Sequence, residues 1–96
     1  MRRDDVLWLL RQRHADLDCF DVKSLALFGS LARDEAGPES DVDVLVEFRN
    51  SATSANYFGL LFFLEDLLGR KVDLVTQGAV KPRLRPYIER DLVHVA

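Results

Sequence analysis

Ser24-Leu25-Ala26-Leu27-Phe28-Gly29-Ser30-Leu31-Ala32-Arg33 and, after a polar loop, Ser40-Asp41-Val42-Asp43-Val44-Leu45-Val46-Glu47-Phe48 decide how this chain folds. Val22 to Phe28 reads as a strand whose central apolar run is covered on both faces. Gly29 follows at once, and Ser30 begins a short helical turn through Leu31, Ala32 and Arg33. The connection from Asp34 to Ser40 carries Gly37-Pro38, a turn signal. Asp41 to Phe48 is a second strand. Alternation along it puts Asp41, Asp43 and Leu45 on one face and Val42, Val44 and Val46 on the other. The valine face is buried, whereas the acidic face is charged only at its start. Carboxylates two residues apart on one strand stand about 7 Å apart at their Cα atoms, near enough to converge on shared cations.

Working outward, Asp4 to about Asp16 predicts an amphipathic helix with Val6, Leu9, Leu10 and Leu17 on its apolar stripe. Trp8 lies about 100° off that stripe, and reads more readily as packing at the core's edge than as a partner contact. Beyond the second strand, Arg49 to Ala55 is a loop, and Asn56 caps a helix that runs to Leu68 and stops at Gly69. That helix is apolar over most of its circumference, which predicts burial from two sides and hence a partner protein or a second copy on one of them. Lys71 to Thr76 is a third strand and Gln77 to Val80 a turn. Pro82 opens a last helix to Asp91, with Pro86 in its first turn or dividing it. Val93 to Ala96 adds an edge strand. The expected fold is α/β (α+β), a small mixed sheet flanked by helices in a single domain over residues 1–96.

Ninety-six residues suit one small core. A net charge of -3 and a pI near 5.3 disfavour a general nucleic-acid binder. Cys19 is the only cysteine, which rules out an internal disulfide and fits a reducing cytoplasm. The polar N-terminal residues do not read as a signal peptide, and the longest nearly apolar run, Tyr57 to Leu64, is far short of the roughly 20 residues of a membrane span. His14 and His94 have no metal-ligand spacing. Lys81, Arg83 and Arg85 form a basic cluster beside Tyr87 that reads as a solvated helix face. No P-loop and no G-x-G-x-x-G are present.

The chemistry lies in three carboxylates and one glycine turn. Asp73 sits between Val72 and Leu74, much as Asp41 and Asp43 sit in their strand. An ionised carboxylate among buried strands is costly unless it is paired or binds a metal, and three on neighbouring strands make an oxygen site suited to Mg²⁺. Gly29 allows close backbone approach, the amides opening the next helix point at an anion, and Ser30 adds a hydroxyl donor. A Gly-Ser pair alone means little. Gly-Ser, ten residues, then Asp-x-Asp arises by chance in about one chain in a thousand of this length, so the spacing carries the signal.

Gly29-Ser30 followed after ten residues by Asp41-Val42-Asp43 resembles the signature of the DNA polymerase beta-type nucleotidyltransferase superfamily. The small size, the tail Lys71-Val72-Asp73-Leu74-Val75-Thr76 and the stretch Lys81-Pro82-Arg83-Leu84-Arg85-Pro86-Tyr87 resemble its minimal nucleotidyltransferases, the antitoxin partners of HEPN-domain ribonuclease toxins. The resemblance implies that Asp41 and Asp43 hold two Mg²⁺ ions and that Asp73 completes the ion activating an acceptor hydroxyl. It implies that Gly29 and Ser30 hold the β- and γ-phosphates of ATP. Ser40 joins this nucleotide-binding set, and Arg33 either contacts phosphates or braces the loop. AMP would pass to a tyrosine of the HEPN toxin, with the 56–68 helix as the expected docking face. Two other outcomes stay open: neutralisation by occlusion without catalysis, and transfer to a small molecule or an RNA end. The small size, with no room for an acceptor-gripping domain, weighs against the last.

Overall fold

The computed structural model describes residues 2–37 and 39–95; Pro38 of the expected turn and Ala96 of the expected last strand lie outside them. Four strands, β1 (Val22–Phe28), β2 (Val42–Phe48), β3 (Val72–Thr76) and β4 (Val93–His94), form one sheet in the order β3-β2-β1-β4. β1 runs antiparallel to both β2 and β4, while β3 runs parallel to β2. The sheet is therefore mixed, as expected. Around it lie α1 (Arg3–Gln12), α2 (His14–Cys19), α3 (Gly29–Ala32), α4 (Ser54–Leu68) and α5 (Arg85–Arg90).

The core is on the valine face. Val42, Val44 and Val46 are buried there with Leu25 and Leu27 of β1, against Val6 and Leu10 of α1 and Leu60, Leu64 and Leu68 of α4. Period-two strands and an i, i+4, i+8 helix stripe meet, which is the usual way a sheet and a helix share a core. Ala26 and Leu45 are also buried but point to the opposite face, away from that cluster. Among the described residues no helix is long and apolar enough to cross a membrane.

Four local expectations change. The N-terminal helix breaks at Arg13, whose amide bonds Leu10 O, so Leu17 belongs to α2 and Leu7 joins the buried stripe. Trp8 is 62% exposed and does not pack at the core's edge. The cap of α4 is Thr53 rather than Asn56: Thr53 Oγ1 accepts from Asn56 N at 3.1 Å, and the helix begins at Ser54. At its other end Gly69 takes φ +64° and donates to Glu65 O at 2.9 Å, as expected of a C′ glycine. The last helix opens at Arg85 rather than at Pro82, because Lys81–Leu84 forms a turn ahead of it, and Pro86 falls in its first turn.

Candidate active site

Gly29 closes β1 in the left-handed region, at φ +71°. A methyl group at that position would overlap the Asp43 carboxylate and lie 3.1 Å from its Cγ. Glycine is therefore required twice, by the backbone conformation and by the closeness of β2. The chain then enters α3, whose opening amides have no partners within the helix. The turn closes with Asp34 at φ +59°: Glu35 N bonds Ser30 O at 2.8 Å and Asp34 N bonds Leu31 O at 2.9 Å. This is a Schellman closure with aspartate where glycine is commoner. Asp34 is held in place because its side chain accepts from Arg3 N at 3.2 Å and from Arg2 Nη2 at 3.3 Å. Those contacts, the Arg3 amide first, lower the Asp34 pKa.

Strand register brings the carboxylates together. Asp43 stands opposite Phe28 of β1 on one side and opposite Asp73 of β3 on the other. The order across the sheet is thus Gly29, Asp43, Asp73, on strands about 4.8 Å apart. Asp41 precedes β2 by one residue and is exposed, as is Asp73; only Asp43 is half-buried. Three buried carboxylates were expected, so burial is milder than the sequence implies. Burial, then the charges of Asp73 and Asp41, push the Asp43 pKa up, against a smaller opposing pull from Arg33.

Among the described residues none of these three carboxylates has a hydrogen-bond or ion-pair partner in the protein. The donor set of hard oxygens, with its like charges only weakly opposed, fits a divalent cation such as Mg²⁺. Among the described residues no three His, Cys, Asp or Glu side chains are already gathered to hold a metal ion. Asp43 and Asp73 are neighbours through register, and rotation of short side chains is what would make the set converge.

Arg33 and Ser40 are placed differently from the carboxylates. Arg33 donates to Asp91 Oδ2 at 2.7 Å and to Glu35 Oε2 at 3.1 Å, which ties the end of α3 to the end of α5. These contacts brace the turn after α3. Ser40 Oγ accepts from Gly37 N at 3.0 Å, so the hydroxyl is engaged in its own loop. A groove of about 300 Å³ escaped sequence reading. It runs along the acidic face of the sheet between Phe28 and Asp73 and is walled by Val80, Lys81, Leu84 and Ile88. Those wall residues lie 52 to 60 positions from Phe28, and nothing in their spacing signals a common site. Two larger grooves, of about 500 and 490 Å³, lie around Thr76 at the other end of β3 and include none of the three carboxylates.

A glycine turn thus abuts one carboxylate, and a second carboxylate is registered beside it on the next strand. Residues 9–94 match the nucleotidyltransferase domain family. The chain is a nucleotidyltransferase and belongs to that family. It is 49% identical over 77 residues to a candidate protein adenylyltransferase of Methanocaldococcus jannaschii, covering 79% of each chain. It is 38% identical over 76 residues to the protein adenylyltransferase MntA of Thermococcus cleftensis, covering 79% of this chain and 77% of the relative. A solved candidate minimal nucleotidyltransferase superposes with a TM-score of 0.77 at 33% identity, over 97% of this chain and 95% of the other. A tri-AMPylated Shewanella oneidensis HEPN toxin in complex with MNT antitoxin matches in fold, with a TM-score of 0.67 at 18% identity, over 94% of this chain and 71% of the other.

Proposed function

We propose that this chain is an ATP- and Mg²⁺-dependent adenylyltransferase antitoxin that transfers AMP to a tyrosine of a cognate cytoplasmic HEPN ribonuclease toxin. The observation that carries the reading is that Asp43 on β2 stands between Gly29, which follows the last residue of β1, and Asp73 on β3. In-line displacement at phosphorus needs a leaving group, a reacting centre and an acceptor in sequence, and this reading assigns them to the glycine turn, β2 and β3 in that order. The Gly29-Ser30 turn anchors the β- and γ-phosphates, the part that departs as pyrophosphate. Asp41 and Asp43 would hold Mg²⁺ at the α-phosphate, with Asp73 added on the acceptor side. Bound there, the metal would polarise the phosphoryl group and lower the acceptor's pKa. The acceptor oxygen bonds to the α-phosphorus, the bond to pyrophosphate breaks, and the hydroxyl proton passes to the exposed Asp73 carboxylate and from it to solvent. Arg33 holds the glycine turn in place through Asp91.

The names of the relatives support the adenylyl class, and the HEPN complex of a fold neighbour supports the partner class. The test incubates the protein with α-phosphate-labelled ATP, Mg²⁺ and its cognate HEPN protein. Label should appear on the HEPN protein and vanish with the Asp41→Asn/Asp43→Asn variant. Label persisting in that variant would remove the metal assignment. Occlusion is the second reading, favoured by the exposed Phe58 and Phe62 of α4, a face able to bind whether or not AMP moves. Neutralisation without any label would establish it.

A further inference from the structure

The groove beside Asp73 has chemistry of its own. Its walls are Phe28, Val75, Val80, Leu84 and Ile88, and its only charged members are Asp73 and Lys81. A flat apolar body with a single polar tip suits such a site. A nucleobase, with polar atoms around its edge, would leave several of them facing aliphatic walls. Position agrees with chemistry, because Asp73 lies on the side of Asp43 away from the phosphate-holding Gly29. The groove also reaches the open surface. It shares Val75 and Ala79 with the 500 Å³ groove bordered by the exposed Phe58, and Leu84 on its own rim is 45% exposed. A side chain carried by another protein can therefore enter from the β3 edge.

We propose that this groove receives the aromatic ring of the acceptor's phenol, with Leu84 and Ile88 setting the preference for an aromatic hydroxyl and Asp73 meeting the oxygen. The inference rests on the adenylyltransferase reading for its purpose but is tested apart from it. Protein with labelled methyl groups is titrated with N-acetyl-tyrosinamide and, separately, with adenosine. The phenol should move the Val80, Leu84 and Ile88 methyl resonances, and adenosine should leave them in place. Adenosine moving them, or neither ligand doing so, would overturn the proposal. Because the titration needs no turnover, failure of AMP transfer in the label assay leaves it able to decide. Filling the groove by Leu84→Trp or Ile88→Trp is the second arm. Affinity for ATP should stay within about twofold, while transfer to the HEPN protein falls about a hundredfold through misplacement of the acceptor. Undiminished transfer in both variants, or lost ATP affinity, would also overturn it.

Discussion

Gly29 sets the tightest constraint at the residue scale. Alanine there would hold a left-handed conformation at a cost of about 1–2 kcal/mol and would displace the Asp43 carboxylate that it overlaps. Gly29→Ala should lower the melting temperature and reduce transfer more than it reduces stability. Equal transfer at a lowered melting temperature would mean that the glycine serves the backbone alone. Asp43 makes a prediction of opposite sign. Its folded pKa is raised, by burial first and then by Asp73 and Asp41, so the native state holds its proton more tightly than the unfolded chain. Stability from this group is complete below the ordinary carboxylate pKa and is lost as pH rises through the raised value. Without divalent cations, Asp43→Asn should therefore be more stable than the parent at neutral pH, with the gain disappearing in acid, while transfer is abolished. Asp34 behaves in reverse: its pKa is lowered, so its contribution is present above the ordinary value and lost as pH falls. Melting curves of Asp43→Asn and Asp34→Asn across acidic pH should diverge, and parallel profiles would contradict both assignments.

Elements were legible where periodicity and packing agree. The three long strands stand within a residue of their expected bounds, because Val42, Val44 and Val46 alternate into a face that α1 and α4 bury. The start of α4 was not legible, since Thr53, Ser54 and Asn56 all have cap chemistry within one turn and only the backbone direction chooses between them. Thr53→Ala should cost about 1 kcal/mol, and Asn56→Ala should stay within about 0.5 kcal/mol; denaturant unfolding reads both. Trp8 misled because aromatic character favours burial on average, yet its helical angle turns it from the stripe through Val6 and Leu10. Arg33 joins Asp91 across 58 positions, a link that only tertiary structure supplies. Arg33→Ala should loosen α5 from α3 and raise amide exchange through Arg85–Arg90 more than in α4.

The whole molecule carries two features of interest to a partner, an exposed aromatic face and the row of Gly29, Asp43 and Asp73. Phe58 and Phe62 stack at 6.3 Å and are 50% and 63% exposed, so α4 buries one stripe and leaves the other uncovered in this chain. Phe62→Glu should weaken binding to the HEPN protein in calorimetry without lowering the melting temperature; unchanged affinity would move the interface elsewhere. Gly29, Asp43 and Asp73 can be singled out by spacing and residue type, but their order across the sheet cannot. That order follows from the parallel pairing of Asp43 with Asp73, and no local pattern encodes which residues of two distant strands face each other. The order is also the central claim. Intact-mass measurement of the HEPN protein after incubation with ATP, Mg²⁺ and either the parent or Asp73→Asn tests it directly. The account predicts AMP adducts with the parent and almost none with Asp73→Asn, although that variant still binds ATP. Adducts forming at the parental rate with Asp73→Asn would contradict it.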